Sequence, residues 1–207
     1  LRHDPAAKKF KELIDKGAIG EVFYVYSKCS SYLPNWRPNQ DYRKSVSANR
    51  SLGGGVLLEL SHEIDYLIWF FGELESVYAE LGTSDILNLD VEDSADLILK
   101  SKKGASISLH LDFLNKQTER YVEAFGSKGQ IKWDLAKKSV SLQAEEVLEF
   151  THHEDYNYNY EQQILHFLKS IEEGSPTVVP IEDAIKRLEV VEFSRQSNKN
   201  KSKIFFK

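Results

Sequence analysis

The chain has 207 residues, of which 41% are hydrophobic and 29% charged, as in an ordinary soluble globular protein. Its net charge of −5 argues against a nucleic-acid or anionic-membrane partner, because phosphate recognition needs a basic surface. The single cysteine, Cys29, excludes an internal disulfide scaffold, and no apolar run approaches the roughly 18 residues of a membrane span. We therefore expect a cytoplasmic location.

The length suits one sizeable domain over residues 1–207. The chain opens on Leu1 and contains no methionine, whereas a complete translation product begins with Met. We therefore expect this domain to be part of a longer protein.

The first third of the chain predicts a helix, a strand, a long loop and a second helix. The first helix covers residues 5–16 with Asp4 as its cap, and β-branched and aromatic residues predict a strand over 21–32. The polar loop 33–52 is longer than most loops of compact domains, which is typical of a functional segment. It leads into a helix over 56–71.

In the middle of the chain the hydrophobic period changes from 3.6 to 2. This period predicts short strands over 74–81, 95–100, 105–112, 120–125, 130–134, 139–143 and 147–151. Their short connections leave no room for crossover helices, so the sheet must be largely antiparallel. Helices over 160–173 and 181–196 and a strand near 204–206 follow. The order predicts an α+β fold, with a large open, mostly antiparallel sheet and helices layered on one face.

Several common functional motifs are absent from the sequence. There is no Gly-x-Gly-x-x-Gly after a strand, no phosphate-binding Gly-rich loop ending in Lys-Ser/Thr, no paired Cys-x-x-Cys, no His-Glu-x-x-His and no Gly-x-Ser-x-Gly. We therefore expect neither a metal site nor dinucleotide binding by the usual Gly-rich turn.

The helix over 56–71 carries the strongest functional signal. Helical spacing gives it one apolar face and a polar stripe formed by Glu59, His62, Glu63 and Tyr66. Apolar residues also flank that stripe, so a missing partner domain is a natural candidate to cover it. A histidine beside carboxylates suits proton transfer near neutral pH, or is a structurally hydrogen-bonded pair. The triple glycine before the helix permits close approach to a ligand or domain, or is a flexible turn.

This helix resembles the second-domain helix of the glucose–fructose oxidoreductase and inositol dehydrogenase family (Gfo/Idh/MocA-like). The shared pattern is Gly-Gly-Gly followed by Leu-x-Asp/Glu, then His62-x-x-Asp65 and Trp69-x-x-Gly72. Other stretches resemble family segments in the same order, and together they extend over essentially the whole chain: residues 2–5, 14–22, 36–38, 125–129, 160–167 and 181–194.

The resemblance implies a C-terminal domain that is separated here from an N-terminal Rossmann domain. In the family, hydride passes between NAD or NADP and a sugar or cyclitol, and the open sheet usually makes the homo-oligomer contact. The cofactor is bound mainly by the Rossmann domain, which also supplies a lysine that this chain lacks. We therefore expect the 207-residue chain alone to be inactive and to have negligible NAD(H) affinity.

The resemblance also assigns candidate site residues. His62 corresponds to the family histidine, and Glu59 either substitutes for an aspartate that many members carry where this chain has Leu58, or marks an altered activity. The candidate substrate contacts are Tyr160, Arg2, Trp36 and Arg37. Packing or capping by Tyr160, solvation of Arg2 and anchoring of the long loop by Trp36 are the structural alternatives.

The loop with Trp36 and Arg37 resembles members that act on nucleotide-sugars. Two other functions remain open at this stage. One is a non-catalytic domain for sheet-mediated oligomerisation or metabolite sensing with an eroded active site, which the shifted acidic residue favours. The other is a different chemistry on the same scaffold, such as NAD-assisted elimination.

Overall fold

A large sheet forms the frame of the computed structural model, which describes residues 1–155 and 157–206. Within those residues it has nine strands: β1 Val22–Ser30, β2 Leu74–Gly82, β3 Ser94–Ser101, β4 Ser106–Asp112, β5 Glu119–Gly126, β6 Gly129–Asp134, β7 Ser139–Gln143, β8 Val147–Thr151 and β9 Ile204–Phe205. Their order is β8-β7-β6-β5-β1-β4-β3-β2-β9. Only β1 and β4 pair in parallel, so the predicted, mostly antiparallel sheet is confirmed.

Helices cover one face of this sheet. The described residues form five helices, α1 Pro5–Asp15, α2 Val56–Glu59, α3 Ser61–Phe71, α4 Tyr158–Glu173 and α5 Ile181–Asn200, of which α1, α2, α3 and α5 pack on the strands. The side chain of Asp4 caps α1 by accepting a hydrogen bond from the Ala7 N–H at 2.7 Å. Alternate residues of the strands are buried beneath the helices, as the period of two requires. The predicted α+β class, with helices on one sheet face, is therefore confirmed.

Aromatic residues hold α1 and α3 together over the sheet. The rings of Phe10 on α1 and Phe70 on α3 lie 4.7 Å apart, and the indole of Trp133 on β6 meets the Phe70 ring edge-on at 5.6 Å. All three side chains are buried. Edge-to-face and tilted aromatic pairs of this kind add about 0.5–1.5 kcal/mol beyond area burial. The core therefore fixes α3 rigidly relative to the sheet.

One prediction about local structure is wrong. The helix over 56–71 is not continuous, because Leu60 takes φ −99° and ψ 21° and separates α2 from α3. Of the predicted polar stripe, Glu63 and Tyr66 are buried, whereas His62 is exposed. The long loop also has regular structure, in four single turns of 3-10 helix: Leu33–Asn35, Tyr42–Lys44, Val46–Ala48 and Arg50–Leu52.

Candidate functional site

A cleft of about 720 Å³ lies beside the junction of α2 and α3. This volume falls within the range of roughly 300–1,000 Å³ that is typical of small-molecule sites. Five of the six residues singled out in the sequence line it: Trp36, Arg37, Glu59, His62 and Tyr160. They come from three separate parts of the chain, and the fold brings them to one cavity.

The glycines before α2 set the position of Glu59 and His62. A Cβ on Gly54 would come within 2.4 Å of the Val46 carbonyl oxygen, so the chain at this point packs directly on the long loop. Gly55 has φ +110°, a conformation that side-chain-bearing residues rarely adopt. The triple glycine is thus a close-packing element between loop and helix. The change of direction at Leu60 then leaves both Glu59 and His62 on the wall of the cleft.

Behind His62 lies a buried ion pair. Glu63 is fully buried, and its Oε1 accepts a hydrogen bond from the Arg120 guanidinium on β5 and lies 3.2 Å from Nε2 of His62. Its Oε2 accepts a hydrogen bond from the hydroxyl of Tyr66. Burial by itself raises the pKa of Glu63, but the Arg120 charge and the His62 ring outweigh it, so the pKa lies below its ordinary value. Glu63 is therefore an anion that Arg120 compensates.

This network gives His62 a defined orientation. Its side chain is 45% exposed towards the cleft, whereas that of Glu63 is 0% exposed. A neutral imidazole has one N–H, and when Nε2 donates it to Glu63, Nδ1 is left as the acceptor. A carboxylate behind a histidine holds the tautomer and stabilises the imidazolium that forms on proton uptake. The arrangement suits a proton acceptor at the cleft.

The network also shows what the sequence pattern did not reveal. Arg120 lies in a predicted strand and has no neighbouring motif, and Glu63 was read only as one member of a polar stripe. The signal available in the sequence was the apolar flank of that stripe, which implies burial of some of its polar members. A buried carboxylate needs a charged partner, but the sequence alone does not say which arginine supplies it.

The aromatic residue of the long loop is anchored. Nε1 of Trp36 donates a hydrogen bond to Ser31 Oγ at 2.9 Å, and its ring meets Phe113 edge-on at 5.4 Å. Trp36 therefore fixes the loop as well as lining the cleft, together with its neighbour Arg37. Tyr160, in the first turn of α4, is 54% exposed and lines the cleft from another side.

Arg2 does not line this cleft. Its Nε and Nη2 donate hydrogen bonds to the carboxylate of Asp65 at 3.1 and 2.8 Å, and Nε of Arg187 reaches the same carboxylate at 2.8 Å. Burial by itself raises the pKa of Asp65, but the two guanidinium groups bring it below its ordinary value. The expectation that Arg2 is either a substrate contact or simply solvated is replaced by a salt bridge that fastens the start of the chain to α3.

His152 is a further, largely buried member of the cleft wall. Its side chain is 10% exposed, and its Nε2 lies 3.2 Å from Oδ2 of Asp4. Asp4 thus serves both as the cap of α1 and as the partner of His152. The two residues are far apart in the sequence, so no local pattern indicates their contact.

Other kinds of site find no support in the described residues. Among residues 1–155 and 157–206, no three His, Cys, Asp or Glu residues are grouped so as to hold a metal ion. Burial and the nearby Glu63 carboxylate raise the pKa of Cys29, so its thiol at the cleft stays protonated. Within the same residues, no helix is long and apolar enough to cross a bilayer.

Comparison with known proteins shows the family to which this domain belongs. Residues 11–205 match the family model described as "Oxidoreductase family, C-terminal alpha/beta domain" of the Gfo/Idh/MocA group, and the chain belongs to that family. A curated relative, the uncharacterized oxidoreductase YrbE of Bacillus subtilis strain 168, is 27% identical over 218 residues, which cover 95% of this chain and 58% of YrbE.

Known structures share the fold at low sequence identity. Levoglucosan dehydrogenase in complex with NADH and levoglucosan superposes with a TM-score of 0.87 at 18% identity, covering 99% of this chain and 64% of that one. Aldose–aldose oxidoreductase from Caulobacter crescentus, in complex with glycerol, gives 0.86 at 20% identity, with 99% and 62% covered. The WlbA dehydrogenase from Bordetella pertussis, in complex with NADH and UDP-GlcNAcA, gives 0.81 at 19% identity, with 100% and 62% covered. The chain thus spans less than two thirds of each of these relatives.

Proposed function

We propose that the chain is the substrate-binding and oligomerisation domain of an NAD(P)-dependent oxidoreductase that acts on a sugar, cyclitol or nucleotide-sugar. The observation that carries this proposal is His62, held at the cleft by the buried Glu63–Arg120 pair. Relatives of the same fold in complex with NADH and sugars support the substrate class. The cleft offers polar groups for hydroxyls beside the apolar face of Trp36.

In this proposal, residues of this chain accept and return the proton of the reaction. When a secondary alcohol is oxidised, its carbon loses a hydride to a nicotinamide, and its hydroxyl loses a proton. His62 accepts that proton at Nδ1, and Glu63 stabilises the resulting imidazolium. In the reverse direction, the imidazolium returns the proton to the carbonyl oxygen. Glu59, on the same wall, orients the reacting hydroxyl.

The cofactor belongs, in this proposal, to a nucleotide-binding domain outside these 207 residues. The chain lacks the Gly-rich turn that binds a dinucleotide. Its α4 and the start of α5 expose an extensive apolar surface, which marks a contact with another protein element. That surface consists of Ile164, Leu165, Phe167, Leu168, Ile171, Ile181, Ile185 and Leu188. We propose that the nucleotide-binding domain covers it.

The proposal is tested on the complete protein with a panel of sugars, cyclitols and nucleotide-sugars. Absorbance at 340 nm reports reduction of NAD or NADP. Turnover of at least one member of the panel supports the oxidoreductase. Tight cofactor binding without turnover of any member supports the non-catalytic sensing or oligomerisation domain, which the glutamate at position 59 favours.

The 207-residue chain alone is expected to bind NADH negligibly and to show no dehydrogenase activity. The physical reason is that no Gly-rich turn presents backbone N–H groups to the pyrophosphate. Isothermal titration calorimetry with NADH measures this directly, and the complete protein is the positive control. A micromolar dissociation constant for the chain alone would show that the expectation is wrong.

The uncovered face of the sheet is the proposed homo-oligomer contact. It exposes Ile98 on β3, and two aromatic pairs lie on it, Tyr24 with Phe125 at 6.0 Å and Tyr26 with Tyr121 at 5.9 Å. A sheet face with such side chains presents a broad surface to a second copy.

Replacement of Ile98 by arginine is expected to dissociate the oligomer, because two like charges would meet in an apolar contact. Light scattering coupled to gel filtration measures the mass of wild type and variant. Replacement of the exposed Ile86, which lies in the segment between β2 and β3, by arginine is the matched control and is expected to leave the mass unchanged. Equal masses for wild type and Ile98→Arg would contradict the sheet contact.

A further inference from the structure

A second pocket, of about 370 Å³, borders the substrate cleft along two segments. At the start of the chain, Arg2 and His3 line this pocket, whereas the adjacent Asp4 lines the cleft. On α4, Gln162 faces the pocket and Gln163 the cleft. Only these two segments of the chain therefore separate a ligand in the cleft from the second pocket.

The lining of this pocket is basic. Besides Gln162, Leu165 and Val178, it consists of Arg2, His3, Lys8, His166 and Lys169. None of the described residues that line it is Asp or Glu, whereas the cleft carries both acidic and basic groups. A cavity lined by charges of one sign focuses the field and attracts a counter-ion.

Neighbouring carboxylates offset only part of this charge. Asp65 is shared between Arg2 and Arg187, and Glu173 approaches Lys169 at 3.7 Å on an exposed part of α4. Lys8 has no ion pair within the described residues. The pocket therefore keeps an excess of positive charge, which an anion would neutralise.

Hydrogen-bond donors remain available on several sides of the pocket. Nε2 of His166 accepts the Val178 N–H at 3.0 Å, so its Nδ1 carries the proton and is a donor. Arg2 uses three of its five N–H groups, two on Asp65 and one on the Val178 carbonyl. The ring of His3 lies 5.7 Å from that of His166. Burial, and then the positive charge of Lys8, lowers the pKa of His3.

We propose that this pocket binds a phosphate group. An arginine before α1, a lysine on α1, and a histidine and a lysine on α4 supply donors to its lining, which suits the several oxygens of a tetrahedral phosphate better than one planar carboxylate. The anion site itself stands independently of the proposed function. The source of the phosphate rests on that function: either a nucleotide-linked or phosphorylated sugar, or the 2′-phosphate of NADP.

The test titrates inorganic phosphate into the protein at constant ionic strength and measures the heat of binding at one pH, and NMR follows the ring signals of His3 over a pH titration with and without phosphate. Saturable binding with a rise in the pKa of His3 is expected, because an anion reverses the repulsion of its neighbours. The double variant Lys8→Gln/Lys169→Gln is expected to weaken binding by about tenfold or more.

The control is Lys11→Gln, which removes a positive charge from a part of α1 outside the pocket. It is expected to change the affinity for phosphate by less than about twofold. Absence of saturable binding, or equal weakening by Lys11→Gln, would overturn the anion site. Titrations with uridine diphosphate and with adenosine 2′-monophosphate then distinguish the two sources. Tighter binding of uridine diphosphate indicates a nucleotide-linked sugar, and tighter binding of adenosine 2′-monophosphate indicates the 2′-phosphate of NADP. Because no turnover is measured, the failure of this site and the failure of the oxidoreductase proposal are separate results.

Discussion

Replacement of His62 by alanine is expected to lower kcat of the complete oxidoreductase by about 10²- to 10⁴-fold, the usual contribution of a positioned proton-transfer group. The cofactor dissociation constant is expected to stay unchanged, since no part of His62 is assigned to cofactor binding. Steady-state rates at 340 nm and a cofactor titration measure the two quantities on the same preparation.

The matched control for this prediction is His153→Ala. His153 is exposed and does not line the cleft, so its removal deletes an imidazole without touching the site. Equal rates for His62→Ala and the wild type would exclude the proton-transfer role.

The variant Glu59→Gln tests whether the shifted acidic residue takes part in the reaction. A loss of rate assigns Glu59 to the reaction, and an unchanged rate excludes such a role.

Replacement of Glu63 by leucine is expected to destabilise the domain by about 3–5 kcal/mol, because it leaves the charge of Arg120 without its partner in a buried position. The double variant Glu63→Leu/Arg120→Met is expected to recover part of that loss, since it removes both charges. Urea denaturation of the two variants and the wild type measures the free energies of unfolding.

The pH dependence of stability and a control variant test the Glu63–Arg120 pair further. The pKa of Glu63 lies below its ordinary value in the folded protein, so its contribution to stability is present above the ordinary pKa of about 4.3 and is lost as the pH falls below it. Glu12→Gln, on the exposed side of α1, removes another ion-paired glutamate and is expected to leave the unfolding free energy within error. A double variant less stable than Glu63→Leu would contradict the account of the pair.

Most of the fold could be predicted from hydrophobic period and turn residues. The strands from β2 to β8 lie within two residues of their predicted limits, because alternation and short turns determine them locally. The break at Leu60 could not be predicted, since Val56–Glu59 and Ser61–Phe71 read as one helical pattern.

The candidate site was predictable only where a motif carried it. His62 and Glu59 belong to a recognisable helix, and Trp36, Arg37 and Tyr160 were found by resemblance. The Arg120–Glu63 pair and the His152–Asp4 contact join distant segments, so only the folded chain shows them. Arg2, expected either to contact substrate or to be solvated, lines the second pocket and is ion-paired with Asp65 on α3, a long-range contact that no local pattern indicates.

The most direct test of the account follows a deuterium atom. The complete protein is incubated with NADH or NADPH that carries deuterium at both C4 positions and with the carbonyl form of a substrate, and the product is analysed by mass spectrometry and NMR. Deuterium bound to the newly formed carbinol carbon is expected in the wild type, and the same product is expected to form much more slowly in His62→Ala. Product formation without transferred deuterium would contradict hydride transfer and favour an elimination, and tight cofactor binding with no product would favour the non-catalytic domain.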